Sequence, residues 1–175
     1  MKTLLITLSI LFAATGMESA FYSFKVNALD SDQVIDFASF KGKKVLVVNV
    51  ASKCGYTPQY KDLQALAEKY SETLVVLGMP CDQFAGQELD LESSIKQFCT
   101  DKFNVTFPMT TVIEVKGDDQ HPVYAWLTQK SENGQGDYKV SWNFNKFLVD
   151  EKGQLVAYFP SGVKPLSSEI TQYLD

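Results

Sequence analysis

One thiol stands out by its position. Cys54 follows the β-branched run Val45-Leu-Val-Val-Asn-Val50 and precedes Pro58 by four residues. That puts it just past the carboxyl end of a buried strand, where open α/β sheets hold their sites. It also lies close to the start of a helix, whose partial positive charge favours thiolate over thiol. Its alternative role is that of most free cysteines, a small buried hydrophobe. A Cys-X-X-Cys dithiol is excluded, because Cys54-Gly-Tyr-Thr57 carries Thr where the second sulfur would stand. Two more thiols, Cys81 and Cys99, bring the total to three, too few for a disulfide scaffold. The single His, His121, rules out zinc sites built on two or three imidazoles, and a Cys–His or Ser–His hydrolase would have to use it. All 16 basic residues are Lys, so no guanidinium fork can clamp a carboxylate or phosphate. The net charge of −5 gives no electrostatic reason to bind nucleic acid.

The elements that would position these groups can be read from the pattern. Residues 1–16 have the layout of a secretory signal peptide: Met1-Lys2, an apolar run from Leu4 to Ala14, then the small residues Ala14-Thr15-Gly16. Cleavage is expected between residues 16 and 20, and the product is expected to be exported, periplasmic or secreted. The other readings of this stretch are an uncleaved anchor or a buried first strand. Loss of residues 1–16 removes one Lys and no acid, taking the charge from −5 to −6. Residues 17–175, in a chain that is 45% hydrophobic, are enough for one domain.

Within that domain, Tyr22 to Leu29 and Val34 to Phe40 are expected to form an N-terminal β-hairpin. Val45 to Val50 and Thr73 to Met79 are expected to be parallel strands of a βαβ unit. The intervening helix would start with Thr57 as N-cap and Pro58 at its first position. Asp90 is expected to cap a helix running to about Thr100, with Leu91, Ile95, Phe98 and Cys99 near one face. Met109 to Val115, Phe144 to Val149 and Leu155 to Phe159 read as strands, the last two joined by a turn at Asp150 to Gly153. Helices are expected from His121 to Lys130 and from Ser167 to Leu174. The fold class is α/β: a thioredoxin-like arrangement, with a mixed central sheet flanked by helices.

Three segments resemble the glutathione peroxidase family. Asn49-Val-Ala-Ser-Lys-Cys-Gly-Tyr-Thr57 is similar to the segment that carries the peroxide-reducing selenocysteine or cysteine, here in its cysteine version. Leu77-Gly-Met-Pro-Cys-Asp-Gln-Phe-Ala-Gly-Gln-Glu88 resembles the second signature and Ser141-Trp-Asn-Phe-Asn-Lys-Phe147 the third. The resemblance runs from about Tyr22 to the C-terminus. It implies a monomeric thiol peroxidase acting on hydrogen peroxide and organic or lipid hydroperoxides, with Cys54 peroxidatic and Gln87, Trp142 and Asn143 as its partners. No metal, cofactor or stable membrane insertion after leader cleavage is expected. The chemistry of the partners agrees, since two amides and an indole supply N–H donors that stabilise a sulfur anion without neutralising it. Met79, Asp82, Ala85 and Leu89 depart from the more usual Phe, Asn, Gly and Pro. A charge at Asp82 facing Cys54 would raise the thiol pKa, so its side chain is expected to point away.

Cys99 coincides with the resolving cysteine of the family's thioredoxin-dependent branch; its alternative role is a packed helix cysteine. Cys81 reads as structural. A resolving Cys99 and a Lys-only, acidic chain favour a thioredoxin-like reductant over anionic glutathione. Three other readings stay open: a glutathione-dependent peroxidase without a resolving disulfide, a disulfide reductase or isomerase of the same fold, and an exported redox sensor or binding module with little turnover.

Overall fold

The computed structural model of the chain describes residues 19–175; the expected leader lies outside the described residues. A run such as Val45 to Val50 has no polar face to give to water, and both its faces are covered. It forms β3 (Lys44–Val50), in a four-stranded sheet ordered β4-β3-β5-β6, with β4 at Leu74–Pro80, β5 at Lys146–Val149 and β6 at Leu155–Phe159. β3 pairs with β4 in parallel, while β3–β5 and β5–β6 are antiparallel. The mixed thioredoxin-like sheet expected from the sequence is present.

Alternation along the strands sorts the core into two layers. Val45 and Val47 face a layer with Phe21, Phe37 and Tyr124, contributed by the N-terminal segment and by α3 (Pro122–Thr128). Leu46, Val48 and Val50 face the other layer, built on α1 (Gln59–Lys69), α2 (Glu92–Phe103) and the short α5 (Ser168–Thr171). Cys54 and Cys99 both belong to this second layer, whereas Cys81 lies in the first. His121 caps the first-layer helix α3, its Nδ1 accepting the Val123 N–H at 3.2 Å.

Several sequence-based expectations are corrected. The hairpin strands contract to β1 (Lys25–Asn27) and β2 (Val34–Asp36), with 3-10 turns at Ala20–Ser23 and Phe37–Phe40 that put Phe21, Phe37 and Phe40 into the core. Met109 to Val115 is not a strand. It makes isolated bridges, Met109 to Gly78 and Thr110 to Ala28, and Pro108 just before it has no N–H to extend the ladder. α2 starts at Glu92 with no side-chain cap from Asp90 and runs on to Phe103, ending at a left-handed Asn104. The Glu92 carboxylate bonds outward instead, to the Thr111 hydroxyl and the Val112 and Asp30 N–H groups. Leu91 is exposed, so only Ile95 and Cys99 form the fully buried stripe. The expected His121 to Lys130 helix divides into α3 and α4 (Lys130–Asn133), because Gln129 between them is extended.

Lys146, the first residue of β5, is fully buried, its Nζ donating to the Phe144 carbonyl at 2.8 Å. Burial pushes its ammonium down to about 7. Between that value and the ordinary ~10.4 of an unfolded Lys, the unfolded chain binds more protons, so stability rises with pH. The expected gain from pH 7 to 10 is a few kcal/mol, about 4 at most. Urea unfolding at pH 6, 8 and 10 checks this: Lys146→Met should flatten the rise relative to wild type, and equal slopes would contradict it.

Candidate active site

The Cys54 loop leaves β3 at Val50 and is braced by Thr57. The Thr57 hydroxyl accepts the Cys54 N–H at 2.9 Å and donates to the Ala51 carbonyl at 2.8 Å. Thr57 is therefore a loop brace and not the helix cap expected of it; the cap position is Pro58, which has no side chain able to accept. The thiol is 7% exposed and receives the Tyr56 N–H at 3.4 Å. The donor on the sulfur is thus a loop amide three residues before the start of α1.

A second loop follows β4 and is stitched to the first, the Lys53 N–H donating to the Gln87 carbonyl at 2.8 Å. This loop turns through Ala85, a non-glycine residue at φ 59°, and Gly86 at φ 62°. Asp82 engages a main-chain donor, its Oδ1 accepting the Glu88 N–H at 3.0 Å. The Gln87 Oε1 accepts from Asn143 Nδ2 at 3.1 Å, which leaves the Gln87 NH₂ as its donor end.

Asn143 and Trp142 come from a third loop, just before β5. The sequence pattern extends this strand back to Phe144, but Phe144 adopts φ 63°, and the turn it forms delays the strand to Lys146. For a buried aromatic residue this is a strained conformation, of the kind that persists when its surroundings enforce it. Asn49 does the enforcing: its Nδ2 holds the Trp142 carbonyl at 2.9 Å, its Oδ1 takes the Asn145 N–H at 3.0 Å and its main-chain carbonyl takes the Phe144 N–H. Asn145 adds bonds to the Trp142 carbonyl and the Ser161 hydroxyl. The Trp142 ring packs on Phe84 of the second loop, centroids 5.7 Å apart, and stays 36% exposed at the rim.

The three loops therefore bring Cys54, Gln87, Asn143 and Trp142 into one connected constellation, while Cys99 stands apart on α2. Sequence reasoning missed Asn49 and Glu88. Asn49 had a signal: one amide inside an apolar buried strand must find partners, and such partners fix geometry.

The first two of these stitched loops, with Cys54 and Gln87, lie within a match to the family model described as glutathione peroxidase over residues 21–128. The chain belongs to the glutathione peroxidase family. The glutathione peroxidase-like peroxiredoxin GPX5 of Chlamydomonas reinhardtii is 45% identical over 158 residues, covering 89% of this chain and 96% of the relative. The hydroperoxy fatty acid reductase gpx1 of Synechocystis is 43% identical over 150 residues, covering 82% and 88%. Among solved structures, T. cruzi GPX1 superposes with a TM-score of 0.66 at 33% identity, covering 88% of this chain and 93% of that one. The chain is accordingly a thiol peroxidase.

In this glutathione peroxidase family member the Asn143–Gln87 bond has a measurable consequence. Gln87→Ala removes the amide that ties the second loop to Asn143, and Asn143→Ala frees Gln87 to rotate. Each is expected to slow Cys54 oxidation by about 10- to 100-fold. Stopped-flow oxidation with hydrogen peroxide checks it, and unchanged rates in both variants would remove them from the site.

Proposed function

We propose that Cys54 is the peroxidatic thiol and Cys99 the thiol that resolves it, with a thioredoxin-like protein as reductant. The Cys54 thiolate attacks one peroxide oxygen. The S–O bond forms as the O–O bond breaks, and the departing oxygen leaves as water or alcohol on taking a proton. The Cys99 sulfur then displaces the hydroxyl of the Cys54 sulfenic acid as water, giving a disulfide that a dithiol reductant reopens.

The observation that carries this reading is the sharing of one core layer by Cys54 and Cys99, with Cys81 on the other side of the sheet. Cys99 is 2% exposed within α2, so this helix must open locally for the sulfurs to meet. α2 has no side-chain N-cap and carries Ser93-Ser94 in its first turn, both of which lower the cost of opening. Glutathione carries two carboxylates, and an acidic chain without Arg attracts it weakly.

The exposed Tyr56 and Trp142 at the rim give an apolar approach to the thiol. This supports organic and lipid hydroperoxides as substrates beside hydrogen peroxide, in line with the named substrate of the Synechocystis relative. The stretch between Gln87 and Trp142 is too short for the added loop of tetrameric family members, which supports a monomer. Export rests on the leader-like residues 1–16 alone.

The test is steady-state peroxide turnover with thioredoxin and with glutathione. Faster turnover with thioredoxin is expected; faster turnover with glutathione contradicts the assignment of the reductant.

A further inference from the structure

Beneath the Cys54 loop lies a cluster of buried polar side chains that the peroxide-reducing step does not use. Glu88 is 2% exposed, and its Oε1 accepts the main-chain N–H groups of Ser52 at 3.1 Å and Leu89 at 2.8 Å. Among the described residues its Oε2 is enclosed with no hydrogen-bond partner, as are the hydroxyl oxygens of Ser52 and Tyr60. The Ser52 hydroxyl leans on the Glu88 carboxylate, and the Tyr60 hydroxyl on the Cys99 thiol, without either contact closing to a well-formed hydrogen bond. The Glu88 charge is felt at both Tyr60 and Cys99. A carboxylate tied to the Cys54 loop thus stands toward the thiol of α2. Native interiors leave few buried polar atoms unsatisfied, and those left need a reason.

We propose that Glu88 is the proton acceptor for Cys99 in the resolving step, with Tyr60 and Ser52 lining the path between carboxylate and thiol. This rests on the resolving role of Cys99 proposed above. Attack on a sulfenic acid requires a thiolate, and burial holds the Cys99 thiol up at about 11, leaving almost none of it ionised near neutral pH. Burial also raises the Glu88 carboxyl, which makes its anion a stronger base.

The groups around Glu88 fix the sign of the effect. Asp82 on the same loop raises its pKa by repulsion, the Ser52 and Leu89 contacts lower it, and the Lys53 ammonium sits on its main-chain carbonyl at 3.0 Å. Tyr60 faces it from α1 and Cys99 from α2, and an anionic Glu88 opposes ionisation of both. Two negative charges in this layer are therefore disfavoured. Moving the proton from Cys99 to Glu88 keeps the charge at one throughout.

The step balances. With α2 closed, the Cys99 S–H bond breaks and its proton passes to Glu88; once α2 opens, the sulfur lone pair forms the S–S bond to Cys54. The Cys54 S–O bond breaks, and the hydroxide leaves as water on taking a proton from Glu88 or solvent. The Cys99 sulfur is oxidised and the Cys54 sulfenic sulfur is reduced.

The test mixes the full reduced chain with one equivalent of hydrogen peroxide and follows both Cys54 oxidation and disulfide formation by rapid quench and mass spectrometry. Glu88→Gln keeps the size of the side chain and the Oε1 acceptor. Its Cys54 oxidation is expected within about twofold of wild type, with disulfide formation slowed about 100-fold at pH 7. In the variant the resolving rate should climb about tenfold per pH unit to pH 9, following hydroxide, while the wild-type rate levels off once Glu88 is ionised. An unchanged resolving rate and pH profile in Glu88→Gln, with the disulfide abolished in Cys99→Ser, would overturn the role of Glu88 and leave that of Cys99 standing. Equal slowing of oxidation and resolution in Glu88→Gln would reduce Glu88 to packing and also overturn it. A Cys99→Ser protein that still recycles with thioredoxin would instead overturn the resolving role itself.

Discussion

Cys54→Ser is expected to abolish peroxide consumption, with a loss of about 10³-fold or more, while the protein stays folded. A serine hydroxyl has no accessible anion at neutral pH, whereas a thiol does. The fold should survive because the loop is held by main-chain and Thr57 contacts: the Cys54 N–H on the Thr57 hydroxyl, the Thr57 N–H on the Cys54 carbonyl, and the Lys53 N–H on the Gln87 carbonyl. The sulfur contributes only the acceptance of the Tyr56 N–H, which an oxygen can take over. Hydrogen peroxide consumption and a thermal melt on the same sample check both halves. Substantial residual activity would remove Cys54 from the mechanism.

Cys99→Ser separates oxidation from recycling. In the proposed cycle the first step belongs to Cys54 and its partners on the three loops, whose hydrogen bonds run among those loops and not to α2, so its rate should stay close to that of wild type. Turnover with thioredoxin should fall by about 100-fold or more, because no internal disulfide forms for a dithiol to open. Cys54 should then accumulate as sulfenic acid and, with excess peroxide, progress to sulfinic acid. Cys81 offers no substitute: it packs in the opposite layer, across the sheet from Cys54. Full thioredoxin-dependent turnover in Cys99→Ser would contradict the resolving role.

What was legible in the sequence was what a local pattern controls. The Val45 to Val50 run announces a strand covered on both faces, and Asp150 to Gly153 forms the expected turn, with Gly153 at φ 77° and the Asp150 carboxylate taking two N–H groups. Cys54, Gln87, Trp142 and Asn143 were named through the resemblance of three short segments, and the structure joins those segments by hydrogen bonds and ring packing. The misreadings share a cause: long-range contacts overrode local preference. Thr57 looks like a cap but is claimed by the Cys54 loop. Asp90 looks like a cap, yet Glu92 fixes the start of α2 through partners around Thr111 and Asp30. Phe144 looks like a strand residue until Asn49, almost a hundred residues earlier, bends it into a turn. Lys146 sits in an apparently apolar strand as a buried cation whose carbonyl partners no periodicity reveals. Glu88 closes a signature segment, and only the fold shows that its carboxylate is buried with one oxygen unpartnered among the described residues and its charge felt at Cys99.

In the proposed cycle peroxide leaves its oxidising equivalents on one specific pair of sulfurs, and peptide mapping reads that pair out. Reduced protein is treated with one equivalent of hydrogen peroxide, alkylated and digested without reductant. The predicted product is a Cys54–Cys99 linked peptide with Cys81 alkylated. Cys99 recovered as a free thiol beside an over-oxidised Cys54, or a Cys54–Cys81 link, would contradict it.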